Sequence, residues 1–310
     1  LVEKRFLLSE GMAFQFVHPL IRHMLYTAPA GVRRQRLHHQ AAAALEMLYA
    51  DDLEQHIEEI ARHVISSGPL ADAEKVVEYT RAAGDRAIAL CAWNEAARYF
   101  EAAVNAAESS ELFSAHDRAQ LRYWAGFAYY HDLDVGPALE HYSEAVDGFE
   151  KTGDVVALSR ALTDQARSRI TQASVAYGTL IDLQPLEDVL ERLGENELRH
   201  RALLLGVMSE AYWTARQTSK AEEAGRQAMA IAEQLEDDEL YVHCSSGLAL
   251  AFIQSLRVEE ALELWQRTLT RAERGPTFGY KGGRSRAFRW PSHGWVGWMR
   301  PRLPRAGPVT

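Results

Sequence analysis

Twelve histidines and two cysteines are the first groups in the 310-residue sequence to test for chemistry. A metal site needs donors that converge on one point. His38 and His39 are neighbours, and on a helix they diverge by about 100°. His56 and His63 stand seven apart, and the run His56-Ile57-Glu58-Glu59-Ile60 lacks the second histidine of a zinc-hydrolase helix. His63, near an expected helix end, is better placed to meet terminal carbonyls and the helix dipole. Cys91 and Cys244 lie far apart, each in a helical pattern, and read as small core residues in a reducing cytoplasm. There is no G-x-S-x-G elbow, no G-x-x-x-x-G-K-[ST] loop and no strand ending in paired acids for magnesium. Catalytic and metal chemistry therefore have no carrier, and the chain reads as not an enzyme. Recognition does have one: Tyr123, Phe127 and Tyr130, with His131 beside them, form an aromatic stripe at helical spacing. Such a stripe either grips an apolar or peptide ligand or packs into a core.

The elements that would position the stripe repeat along the chain. Residues 77–104 and 119–146 match at six positions: Ala83/Ala125, Gly84/Gly126, Ala87/Tyr129, Ala96/Ala138, Phe100/Tyr142 and Ala103/Ala145. Small residues at positions 8 and 20 let two antiparallel helices approach, and larger residues at 11 and 24 fill the space beside them. This resembles the tetratricopeptide repeat, a helix–turn–helix unit that stacks into a solenoid. Partial matches follow at Tyr212, Ala221 and Ala228, and at Phe252, Ala261 and Trp265. The position-20 alanines at 96, 138, 221 and 261 step by about 41 residues if a degraded copy occupies 155–190. Five units are expected, with Tyr177-Gly178-Thr179-Leu180 where the second helix of the third should start. The resemblance implies that first-helix positions 2, 5, 9 and 12 line a binding groove. These positions gather Gln120, Tyr123, Phe127 and Tyr130, with His131 alongside, then Glu210 and Trp213, then His243 and Ile253. Asp72, Ser114 with Asp117, and Ser219 with Glu222 read as helix N-caps.

The first fifty residues have another character. Phe6-Leu7-Leu8 and Phe14-Gln15-Phe16-Val17 flank Ser9-Glu10-Gly11, a hairpin signal. Pro19 opens a helix, and a second runs over 31–49 with Leu37, Ala41, Ala44, Leu45 and Leu48 on one face. The order F-x-F-x-H-P-L-I-R, M-L-Y, R-R-Q-R-L-H, A-A-L-E is similar to the end of the winged-helix module in bacterial STAND-type signalling ATPases. These include LuxR/MalT-like regulators and ATPases fused to adenylate or guanylate cyclases. Ile60-Ala61-Arg62-His63, Ser67-Gly68 and Ala73-Glu74-Lys75 continue the match into the repeats. The resemblance implies that His18 contacts a nucleotide phosphate in the complete protein, with packing at a hairpin–helix junction as the plainer role. It also implies ATP or ADP and an ATPase core in a full-length parent, of which this chain is expected to be a fragment; the chain itself is expected to hold no cofactor.

The expected organisation is an all-α solenoid behind a small winged-helix remnant. The remnant covers 1–50, a helical linker 51–73, five tetratricopeptide-like units 74–273 and an irregular tail 274–310. The tail holds eight of the 34 basic residues and none of the 43 acidic ones, so the remaining chain carries a net charge of −17. An acidic solenoid repels nucleic acid. The tail, with five prolines, seven glycines and three tryptophans, reads as a basic aromatic arm, a disordered end or a frameshifted segment. The basic helix face Arg33, Arg34, Arg36 and His38 reads as a solvated face. No apolar run reaches the ~18–20 residues of a membrane span. The expectation is a cytoplasmic regulator whose repeat surface binds a protein or small-molecule effector. The alternative is a free-standing adaptor between proteins.

Overall fold

Some of the helices begin where a capping side chain satisfies a free amide, and they pair where glycine and alanine permit close approach. The computed structural model describes residues 6–10, 13–175 and 181–274. Strands β1 (Leu7–Glu10) and β2 (Ala13–Phe16) pair antiparallel, Leu7 opposite Phe16. Helices α1 (Pro19–Thr27), α2 (Gly31–Leu48) and α3 (Leu53–Ser66) follow, then a 3₁₀ turn at Gly68–Leu70.

Ten further helices form five successive pairs: α4 (Ala73–Ala89) with α5 (Trp93–Glu108), α6 (Ala115–His131) with α7 (Val135–Thr152), α8 (Val155–Val175) with α9 (Gln184–Arg192), α10 (Leu198–Thr214) with α11 (Thr218–Gln234), and α12 (Asp238–Gln254) with α13 (Val258–Arg274). The architecture is an all-α, tetratricopeptide-like solenoid, and the two-stranded hairpin is the sheet among the described residues. No helix among the described residues is long and apolar enough to cross a membrane.

The packing follows from the repeated small residues. A Cβ at Gly84 would stand 2.7 Å from the Phe100 ring, and one at Gly126 would stand 3.0 Å from Tyr142 and 3.1 Å from the Ala138 carbonyl. The glycine at position 8 thus receives the aromatic ring at position 24, while Ala96, Ala138, Ala221 and Ala261 are fully buried at position 20. Four of the five pairs turn through a left-handed residue at position 15: Cys91, Leu133, Arg216 and Leu256, with φ of 55°, 65°, 60° and 59°. In each, the next amide reaches back to the helix (Ala92 N–H to the Ala87 carbonyl, 2.8 Å; Arg257 N–H to Phe252, 2.9 Å), the bond that closes a helix C-terminus.

Several local expectations are met. Asp72 accepts the Glu74 amide, and Ser114 and Asp117 form a reciprocal capping box. Others are corrected. Cys91 sits exposed in a turn, not in a helix. Helix α11 starts at Thr218 without a side-chain cap, because Thr218 Oγ1 donates to Gln254 of α12 and Ser219 lies already inside the helix. His63 turns away from the helix end: its Nδ1 lies 3.0 Å from His38 Nδ1, while Tyr26 Oη lies 3.1 Å from His38 Nε2. Leu37 and Leu48 of α2 are exposed, and Ala42 is the buried residue of that helix. Residues 177–180 and the tail lie outside the described residues.

Candidate ligand groove on the first helices

The first helices of the pairs lie side by side and parallel, one repeat step apart. Tyr123 Oη donates to Asp164 Oδ2 at 2.7 Å, Tyr130 Oη lies 3.3 Å from Thr171 Oγ1, and Cys244 Sγ donates to the Ala202 carbonyl at 3.3 Å. These partners are separated by 41, 41 and 42 residues. The third pair is unusual in its second helix, for α9 has nine residues, while α10 packs on α8 as α12 packs on α10. That brings the faces of α6, α8 and α10 together.

The expected aromatic stripe divides in two. Tyr123 is 2% exposed and belongs to the core. Burial and the Asp164 carboxylate raise its phenol far above the ordinary range, so its hydroxyl is a fixed donor. Phe127, Tyr130 and Trp213 remain half-buried and pack on the edge of the core. His131 stacks on Trp93 at 4.6 Å and lies 4.4 Å from Phe127, centroid to centroid. Burial lowers its pKa and keeps the imidazole neutral. His243, on α12, is pushed down to about 4 by burial, then by Arg167 and Arg199. Ile253 is exposed at the far end of the same helix.

The charged residues of α8 are the part that the stripe did not reveal. Arg167 donates to Asp164 at 3.2 Å, and its charge also faces Glu210 of α10. One guanidinium thus acts on two carboxylates. Burial raises the pKa of Glu210, and Arg167 opposes that rise. Arg160, two turns earlier, lies 4.3 Å over the Tyr123 ring and 5.8 Å over Trp124, and donates to Gln120 Oε1 at 3.2 Å. Its buried Nε has no hydrogen-bond partner. A step of 41 residues from Tyr123 and Tyr130 lands on Asp164 and Thr171, so the period held the signal. The faded markers of the third unit hid the starting point from which to count.

His18 lies apart from this face. It caps α1, its Nδ1 accepting the Leu20 amide at 3.1 Å, and it is exposed. At the edge of α10, Arg199 pairs with Asp237 at 3.0 Å, and His200 lies 3.1 Å from Glu197, beside a shallow depression of about 380 Å³. Among the described residues no three histidine, cysteine or acidic side chains cluster as metal ligands would.

No protein-family model matches the sequence, and no curated protein does. Solved structures do. The chain is similar to the apo form of the quorum sensor NprR from B. thuringiensis, at 15% identity over 83% of this chain and 70% of that one, with a TM-score of 0.53. NprR in complex with its cognate peptide NprX aligns at 16% identity over 82% and 73% of the two chains, TM-score 0.48. A signal transduction ATPase with numerous domains and a tetratricopeptide repeat sensor, PH0952 from Pyrococcus horikoshii, aligns at 14% identity over 88% of this chain and 45% of that one, TM-score 0.45. Identities this low speak to fold.

Proposed function

We propose that this chain is the sensor part of a STAND-type signal-transduction ATPase, a LuxR/MalT-like transcriptional regulator or a cyclase-linked relative. Its first-helix face receives a peptide or small-molecule effector. The observation that carries the proposal is the mixture on that face. Half-buried Phe127, Tyr130 and Trp213 share the first helices with half-buried Arg160, Arg167 and Glu210, where a purely structural seam would be filled with alanine and leucine. Aromatic surface with a few placed charges is the usual lining of a ligand site. The order of hairpin, α1, α2 and linker helix ahead of the repeats supports the assignment to this class of parent. In that parent His18 would stand toward the nucleotide and the ATPase core would supply hydrolysis. Effector binding would act by population shift, favouring the arrangement to which it binds more tightly.

The test is calorimetric titration of the full chain with a pool of short synthetic peptides, alongside Trp213→Ala. Binding that Trp213→Ala weakens at least tenfold supports the groove; equal binding by both proteins refutes it. A second reading, a free-standing adaptor, draws on a different observation. Val258, Leu262, Trp265 and Leu269 form an exposed apolar stripe along α13, suited to a helix of another protein. A P-loop in the same reading frame upstream favours the ATPase parent, and its absence favours the adaptor.

A further inference from the structure

The arrangement of charge on α8 and α10 specifies more than a general binding face. Arg160 and Arg167 are seven residues apart, so they share one face of α8 and are separated by about 10 Å along the axis. At the Arg160 end, among the described residues, no carboxylate lies within ion-pair distance of the guanidinium. Arg160 has only the Gln120 oxygen, two aromatic faces and an Nε with no acceptor. At the other end, Arg167 is bonded to Asp164, so Glu210 feels its field without an ion pair of its own. The face therefore offers a cation lacking an anion at one end and, at the other, a carboxylate that shares its cation with Asp164. Burying an uncompensated charge is costly, and a ligand with charges of matching sign and spacing would remove that cost at both ends.

Resting on the groove reading above, we propose that this face binds a short peptide by its two ends, the C-terminal carboxylate on Arg160 and the N-terminal ammonium on Glu210. Glu210 lies in the field of Arg167, so the step from Arg160 to Arg167 sets the scale of the length. A free amino acid is too short to reach both groups. An extended chain advances at most about 3.3–3.6 Å per residue, so three residues span about 10 Å. The direction of the peptide sets its first side chain beside Phe127, Tyr130 and Trp213, which follow Glu210 on the same side. An aromatic or large apolar first residue therefore fits best, followed by residues small enough to cross the Tyr123–Trp124 platform.

The experiment uses the full chain and the tripeptide Phe-Ala-Ala in four forms: free, C-terminally amidated, N-acetylated and blocked at both ends. Isothermal titration measures each against wild type, Arg160→Met, Glu210→Gln and Trp213→Ala. The free peptide is expected to bind, and each single block to weaken it about tenfold or more, the worth of one charge-assisted contact. Arg160→Met should lose its sensitivity to amidation alone, and Glu210→Gln its sensitivity to acetylation alone. The four peptides on wild-type protein decide the matter even where a variant folds poorly. Equal binding of free and doubly blocked peptide overturns the two-ended clamp, while loss of binding in Trp213→Ala still supports the groove. Binding that ignores Trp213→Ala, or no binding up to about 1 mM, overturns both.

Discussion

Gly247→Ala is a demanding test of how closely the first helices pack. Gly247 of α12 faces α10, where an added Cβ would stand 2.5 Å from Ser209 Oγ, 2.6 Å from Ser209 Cβ and 2.8 Å from the Glu210 backbone nitrogen. Non-bonded atoms settle at about 3.5–4.0 Å, so α12 must retreat by about 1 Å along that seam. Ser209 cannot swing clear cheaply, because its hydroxyl donates to the Ala221 carbonyl at 2.6 Å. Helix propensity favours alanine over glycine by about 1 kcal/mol. Overpacking against backbone costs about 1–3 kcal/mol, here toward the upper end. The net expectation is a loss of about 2 kcal/mol. A Cβ on Gly136, near the start of α7, would meet no atom within 4 Å beyond its chain neighbours and its own helix backbone. Gly136→Ala should therefore gain stability, by up to about 0.5–1 kcal/mol. Urea denaturation followed by far-ultraviolet circular dichroism ranks the three proteins. Hydrogen exchange should show the Gly247→Ala loss confined to α10–α13, since repeat arrays couple mainly to their neighbours. Equal gains from both substitutions would refute the close approach of α10 and α12.

Three further expectations follow from single groups. Leu256 is 87% exposed and left-handed at φ 59°. Leu256→Gly should therefore raise the urea midpoint, by about 1 kcal/mol of relieved backbone strain. Tyr142 is fully buried and its hydroxyl has no partner, whereas the Tyr123 hydroxyl donates to Asp164. Tyr142→Phe should be neutral or stabilising and Tyr123→Phe destabilising by about 1–2 kcal/mol, read from the same titration. His243 has a folded-state pKa of about 4 against 6.5 for the free side chain. The unfolded chain therefore binds the proton first as pH falls, and stability present above about pH 6.5 drains away toward pH 4. His243→Gln should flatten that part of the pH–stability curve.

The regular units were legible because their geometry depends on residue types that carry the information on their own. Gly84 and Gly126 are required by the rings of Phe100 and Tyr142, and Asp72 and Ser114 cap because their side chains reach amides two or three residues on. The turns were not legible. Position 15 calls for a left-handed residue, but cysteine, leucine and arginine stand there instead of glycine, so the strain is absorbed by the surrounding pair and leaves no mark in composition. Ser219 with Glu222 had the capping pattern without the function, since α11 takes Gln217 as its N-cap, two residues earlier, where Thr218 bonds across to Gln254. The Tyr26–His38–His63 chain joins residues 12 and 25 apart, and no local pattern reports such a meeting. At the candidate site, Phe127, Tyr130, Glu210 and Trp213 were found by counting along the repeat. Arg160 and Arg167 were missed because the third unit lacks the alanine markers from which to count.

That same loss of markers has a structural consequence that ties fold to site. Between the regular first helices α10 and α12 the seam is filled by small residues, Gly247 against Ser209 among them. Along α8 the buried positions include Ser159, Thr163, Gln165 and Ser168. The hydroxyls of Thr163 and Ser168 turn back to carbonyls of their own helix at 2.7 and 2.8 Å. Such bonds satisfy the polar groups without a neighbouring helix, at some cost to helix regularity. Helix α10 covers α8 as α12 covers α10. Polar α8 can therefore hold Asp164 and Arg167 against Glu210 in a half-buried setting that an alanine seam could not solvate or compensate. Sequence divergence in the third unit is thus the condition for placing charge on the inner face. Restoring the repeat consensus there should stabilise the solenoid and erase the charged groove together.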